Sequence, residues 1–281
     1  MVLTMPKVYQ PPTGRIRTDH RPFEEIVRDL RHAIFSVVRN RPVGGNQFQA
    51  TPLGSGFFVS PEVLLTCAHV LDPATARHED GDFYLLVRTD SATATVHSIP
   101  SVKRGEQLHL FPDCDLGILV AGGLKGQAYA ALDYNDWAVG KDIGVAGYPI
   151  PRLNVANGQL AYDGLIFRVA RGIVTSTFKT QLTTDNGVLP NVSVIEVNFL
   201  FVPGNSGGPV FDATTGRVGG YVECYTTTKI RERVEQANPQ LAATLPQGLG
   251  AAYIENINAL YSLGLKVDQC RAQLERFGVK L

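Results

Sequence analysis

Between residues 54 and 198 the chain alternates short apolar runs with turn residues: GFFVS, VLLTC, FYLLVRT, LGILVA, IGVAGY, LIFRVARGIVTS and VSVIEVNF. These runs are rich in Val, Ile, Phe and Tyr, and no 10–15-residue helical pattern separates them, so they predict antiparallel strands rather than βαβ units. Upstream, 22–31 (PFEEIVRDLR) places apolar residues at 23, 26, 27 and 30, which predicts a short helix feeding a first strand at 33–38. Further strands are expected at 208–212, 217–225 and 250–254. The charged stretch 228–247, interrupted by Pro239, reads as a surface insertion, and 255–263 and 267–277 have the spacing of C-terminal helices. The fold class is all-β.

Composition agrees with this pattern and narrows the function. The chain has 28 glycines and 17 prolines in 281 residues, above the roughly 12% that these two residues contribute to an average chain, as frequent turns require. Lys and Arg number 26 against 26 Asp and Glu. That neutral balance lacks the basic excess of a nucleic-acid binder, so no nucleic-acid partner is expected. No run approaches the roughly 20 apolar residues of a membrane span, and the first 17 residues hold no apolar run of signal-peptide length. A cytoplasmic protein without a membrane partner is expected. Cys67, Cys114, Cys224 and Cys270 lie far apart with no C-x-x-C pair, so they read as buried or free thiols, and neither a metal site nor a cofactor is expected.

The densest chemical signal is 204–209 (GNSGGP), which sets Ser206 among glycines just before a strand. Backbone N–H groups can converge there, and nothing blocks the hydroxyl. The segment also satisfies G-x-S-x-G, the nucleophile elbow of α/β-hydrolases, but that fold needs a histidine after the serine. All six histidines (20, 32, 69, 78, 97 and 109) precede Ser206. His69, at the end of the strand-like LLTCAHVL, has the best setting of the six. His78 and His109 fall in polar loops, His97 in an alternating strand, and His20 and His32 near the N-terminus. A carboxylate that holds the imidazole tautomer is best supplied by Asp115, which opens the apolar strand DLGIL, with Asp113 as the fallback.

The segments TCAH, DLGIL and GNSGGP, in the order His, Asp, Ser, resemble the three signature segments of trypsin-like serine endopeptidases, with motif detail similar to bacterial HtrA/Deg-type protease domains without a PDZ module. GSGF at 54–57, 140–149 and RGIV at 171–174 resemble further segments of that family. The resemblance implies two six-stranded antiparallel β-barrels, about 33–125 and 126–254, behind an extension at 1–32 and ahead of helices at 255–278. It makes Ser206 the nucleophile, His69 the general base and then acid, and Asp115 the orienting carboxylate, with the N–H groups of Gly204 and Ser206 as the oxyanion hole. By the same resemblance Leu200, Glu223, Cys224 and Tyr225 wall the substrate pocket. Leu200 stands where trypsins carry an acid, so small or medium apolar residues are favoured over Arg or Lys. Glu223 faces solvent, anchors substrate or perturbs His69.

Asn205 replaces the aspartate of secreted zymogens, and no I-V-G-G segment is present, which points away from activation by N-terminal cleavage. The expected partners are a protein or peptide substrate and a regulatory protein. A binding scaffold held inactive until a partner arrives, or an esterase using the same triad, are the alternatives.

Overall fold

In the computed structural model, which describes residues 9–279 apart from 45–46, 75–76, 80–81, 90–92, 101, 123–126, 150–152, 157–158, 163–164, 185–186, 200 and 234–252, the apolar runs are strands. The N-terminal half supplies Ile34–Gly44 (β1), Gln47–Phe58 (β2), Val63–Cys67 (β3), Phe83–Thr89 (β4), Ala94–Ile99 (β5), Leu108–Phe111 (β6) and Leu116–Val120 (β7). They form one antiparallel sheet in the order β5-β4-β1-β2-β3-β7-β6, seven strands where six were expected. The extra strand is β6, on which His109 lies rather than in a loop, while His97 lies on β5, an alternating strand as expected.

The C-terminal half supplies Asp142–Gly147 (β8), Leu153–Ala156 (β9), Gln159–Tyr162 (β10), Arg168–Thr184 (β11), Gly187–Val197 (β12), Pro209–Asp212 (β13), Val218–Arg233 (β14) and Tyr253–Lys266 (β15). Six of these close a barrel in the order β11-β12-β15-β14-β13-β8, while β9 and β10 pair as a separate hairpin. Its interior is filled by Ile143, Val145, Val174, Ile195, Val197, Val210 and Val222, the inward positions that alternate along each strand.

Two elements differ from the sequence reading. Residues 255–263, expected to be helical, belong to β15, which pairs with β14 from Gly220↔Lys266 to Arg233↔Tyr253 and with β12 from Val194↔Leu265 to Val197↔Ser262. The barrel cannot close without a strand between β12 and β14, and ladder hydrogen bonds on both sides outweigh a local helical spacing. The expected insertion at 228–247 begins as strand, since β14 runs to Arg233; its remainder, 234–247, and most of the strand expected at 250–254 lie outside the described residues. The helical end is confined to a 3-10 turn, Val267–Cys270, and the helix Arg271–Arg276.

The N-terminal segment is packed rather than solvated. Pro22 precedes a helix, Phe23–Leu30 (α1), with Glu24 and Glu25 in its first turn and Arg28 in its last, which suits the helix dipole. Its apolar stripe buries Ile26 and Leu30 completely or nearly so, and Phe23 stacks on Phe211 of β13 with ring centroids 6.0 Å apart.

The turn that receives α1 is built by Asp212. One carboxylate oxygen accepts from the Thr214 N–H (2.7 Å), the Thr214 hydroxyl (2.7 Å) and the Thr215 N–H (3.1 Å), and the other takes Lys141 at 2.7 Å. Burial works to raise this carboxyl, but the Lys141 and Thr214 hydrogen bonds outweigh it and hold it at about 2. A depressed carboxylate stabilises the fold above its unfolded value near 4, and that contribution disappears as pH falls through about 4 towards 2. We expect about 2–3 kcal/mol to be lost in this window. Denaturant unfolding at pH 6 and pH 2.5 checks it: Asp212→Asn should lose less stability on acidification than the wild type, and equal losses would refute the assignment.

Candidate active site

Strand pairing brings His69 to Asp115. Strands β3 and β7 run antiparallel with Cys67 opposite Leu116, so the residues just past the end of β3 lie beside the residue just before β7. The chain after β3 turns into a four-residue helix, Ala68–Leu71 (α2), and the Ala68 N–H donates to the Asp115 carbonyl at 2.9 Å. Asp115 follows a 3-10 turn, Pro112–Cys114, and has φ +47°, the left-handed region that Asp tolerates better than most residues. Its Oδ2 lies 2.7 Å from His69 Nδ1, and its Oδ1 accepts the His69 backbone N–H at 3.0 Å. Two bonds from one residue fix both the carboxylate and the ring. Asp115 is 6% exposed, so water competes little for them. Asp113, the fallback carboxylate, lies within the 3-10 turn, and the carboxylate bonded to the His69 ring is that of Asp115.

The Ser206 loop is held against the same sheet. Pro203 and Gly204 occupy the corner of a turn closed by the Asn205 N–H on the Val202 carbonyl at 3.0 Å, and Gly204 has φ +94°. Positive φ at the second corner is the mark of a type II turn, which sets the direction of the Gly204 N–H. Ser55 of β2 clamps this turn from behind: its hydroxyl donates to the Gly204 carbonyl at 2.6 Å and accepts the Tyr148 N–H at 2.8 Å, while its own N–H donates to the Ser206 carbonyl at 2.9 Å. Gly207, at φ +81°, leaves no room for a side chain; a Cβ there would stand 2.1 Å from Thr66 Oγ1 and 2.3 Å from the Ser55 carbonyl. The N–H groups of Gly204 and Ser206 donate no hydrogen bond among the described residues. The Ser206 hydroxyl donates to the Glu223 carbonyl at 3.3 Å.

Cys67 and Glu223 back this arrangement. Burial, followed by the negative charges of Asp115 and Glu223, pushes the Cys67 thiol well above the ordinary thiol range. It therefore stays protonated and donates to the Val222 carbonyl at 3.1 Å. Cys67, His69 and Asp115 bring ligand atoms within 4.8 Å of one another, yet a protonated thiol and a 2.7 Å Nδ1–Oδ2 hydrogen bond suit proton management rather than metal binding. A cleft of about 130 Å³ opens beside His69 and Asp115, with Leu110, Val188 and Leu189 among its walls.

Of the expected pocket residues, Glu223 is 5% exposed, which corrects the solvent-facing option. Cys224 and Tyr225 lie on β14, and Leu200 lies outside the described residues. His78, expected in a polar loop, is buried and bonded to the Tyr84 hydroxyl at 3.1 Å, a structural role.

Sequence reasoning missed the part played by Ser55. The signal was present, since a serine in an apolar strand must find partners for a buried hydroxyl. Ser55→Ala should lower kcat by about 10–100-fold, because it releases the Gly204 carbonyl that sets the turn, and should cost about 1–3 kcal/mol through the orphaned Tyr148 N–H. Steady-state kinetics with denaturant unfolding checks both, and unchanged kcat would contradict the clamp.

Comparison with known proteins agrees with this geometry. Residues 54–220 match the family model described as a trypsin-like peptidase domain. The fold is similar to the active form of the Rv3671c protease from M. tuberculosis, with a TM-score of 0.57 and 17% identity over 100% of this chain and 96% of that one. It is also similar to the HtrA-type protease AlgW solved with a decapeptide, with a TM-score of 0.54 and 17% identity over 91% of this chain and 67% of that one. No curated protein sequence matches the chain. With more than half its length matched, the chain belongs to the trypsin-like peptidase family and is a serine protease.

Proposed function

We propose that the protein is a selective endopeptidase in which Ser206 is the nucleophile, His69 the general base and then acid, and Asp115 the carboxylate that orients the ring. The observation that carries this reading is the paired grip of Asp115 on His69, at 2.7 and 3.0 Å, together with a Ser206 loop that Ser55 clamps against the same sheet. With Nδ1–H donated to Asp115, Nε2 of His69 is the acceptor for the serine proton. Ser206 gives up its bond to the Glu223 carbonyl, donates to Nε2 and attacks the scissile carbonyl. The oxyanion that forms meets the N–H groups of Gly204 and Ser206. Each such donor, placed in advance where charge develops, is worth about 3–4 kcal/mol of barrier. His69 then protonates the leaving amine, and water activated by the same ring hydrolyses the acyl-enzyme.

The cleft beside His69, walled by Leu110, Val188 and Leu189 together with Asp72 and Arg77, supports a peptide chain on that side of the ring, and the preference for small or medium apolar residues rests on Leu200, which stands where trypsins carry an acid. The contact between Ser206 and Glu223 also favours a resting site that a regulatory partner or the substrate itself converts to the attacking arrangement. Stopped-flow hydrolysis of matched peptide and ester substrates tests the reading. A burst of one acyl group per Ser206 with the ester, and steady turnover of the peptide without a burst, is the expected result. Turnover of esters alone would replace the endopeptidase with an esterase.

A further inference from the structure

We propose that Arg77 is a specificity residue, binding the carboxylate of a Glu or Asp side chain that the substrate lays in the cleft beside His69, an inference that rests on the endopeptidase reading above. The cleft of about 130 Å³ that His69 lines is lined also by Arg77 and, on its apolar walls, by Leu110 of β6 and Val188 and Leu189 of β12. The Arg77 side chain is 62% exposed, so a charged group arriving from solvent reaches it without displacing the core. Its main chain is held in place, since the Arg77 carbonyl accepts from Arg41 Nη2 at 2.6 Å. Both bonds that its side chain makes to Asp72 leave from Nη1, at 3.1 Å to Oδ2 and 3.3 Å to the carbonyl. A substrate carboxylate is therefore offered the Nε–Nη2 edge of the fork, which suits a grip through two parallel bonds.

The acid on this wall does not cancel Arg77, because one carboxylate serves two guanidiniums. The Asp72 side chain is 7% exposed, and its Oδ1 accepts the His78 N–H at 2.7 Å and lies 2.8 Å from Arg104 Nη2, while Oδ2 takes Arg77. Asp72, Arg77 and Arg104 together leave one positive charge in excess. The next group of charges is balanced: Arg41 lies 2.8 Å from both Asp82 and Glu79, and Arg39 lies 3.8 Å from Asp82, two cations on two acids. The other acid lining the cleft, Asp115, is committed to His69 at 2.7 Å. An acidic side chain entering the cleft thus finds apolar walls for its methylene stem and a guanidinium for its head. A lysine in the same place meets a guanidinium of like charge and an Asp72 whose oxygens are occupied. The attraction is partly screened at a site open to solvent, so its effect on turnover is a modest factor.

The test uses the full-length protein and internally quenched peptides of one cleavable sequence, in which each position near the scissile bond is in turn Ala, Glu or Lys. At one position Glu should raise kcat/KM over Ala by about 5–20-fold, chiefly through KM, and Lys should lower it. The Glu-to-Ala ratio should shrink several-fold between about 0.05 and 0.5 M salt. Arg77→Gln should bring that ratio to about 1, and Arg77→Glu should turn the preference towards Lys. A merely structural Arg77 would change the rates on all the peptides alike and leave the ratio standing, which would overturn the proposal. Equal rates for Glu and Ala at every position, or a preference for Lys in the wild type, would also overturn it. Should the variants fail to fold, the wild-type ratio and its salt dependence decide. The same series made with an ester at the scissile bond keeps the two readings apart: turnover of the esters alone defeats the endopeptidase, while their Glu-to-Ala ratio still decides the role of Arg77.

Discussion

Replacing Ser206 with alanine should lower kcat by about 10⁶-fold while leaving the fold intact. The size follows from the role, since without the hydroxyl there is no acyl-enzyme, and the imidazole and oxyanion donors have no nucleophile to serve. The fold survives because the loop is held by its backbone. The Ser206 carbonyl still accepts from the Ser55 N–H, and the Gly207 N–H still reaches the Val222 carbonyl at 2.8 Å. Among the described residues the substitution removes the 3.3 Å bond from the hydroxyl to the Glu223 carbonyl, worth about 1 kcal/mol or less. Active-site titration together with thermal unfolding separates the two effects. A large loss of stability would show that Ser206 is a structural residue of the turn.

Asp115→Asn should lower kcat by about 10⁴-fold, with KM changed far less. Asparagine keeps the shape and tolerates the left-handed backbone at φ +47°. It can still accept the His69 backbone N–H through its amide oxygen. The amide nitrogen, however, donates where Oδ2 accepted, so Nδ1 must become an acceptor and the ring proton moves to Nε2. That tautomer cannot take the proton of Ser206. Asp115→Ala removes the grip on both His69 atoms and should be at least as damaging, with an added loss of stability. If Asp115→Asn retains more than about a tenth of the wild-type kcat, the carboxylate is a packing residue and the assignment fails.

Much of this was legible in the sequence, and the reasons are physical. Short apolar runs between turn residues announce strands because the two-residue period and the turn chemistry are local properties. The Ser206 loop was legible because Gly204 and Gly207 are demanded by backbone φ and close approach, which leave glycine as their trace. His69 and Asp115 stood out because each flanks a strand end. What joins them, the pairing of β3 with β7, is a long-range fact that the sequence implies only through resemblance. The same limit explains the misreading of 255–263, where Ile257, Leu260, Tyr261 and Leu263 fit a helical face until the gap between β12 and β14 requires a strand. Ser55 is the functional counterpart: its hydroxyl acquires meaning only when Gly204 and Tyr148 arrive from the other half of the chain.

The central claim, that His69 and Asp115 activate Ser206 in a prepared oxyanion site, is tested most directly by covalent labelling with a fluorophosphonate. A single adduct on Ser206 is expected in the wild type, formed far more slowly in Asp115→Asn and absent in Ser206→Ala. Peptide hydrolysis that persists with Ser206 unlabelled, or an adduct mapped to another residue, would contradict it.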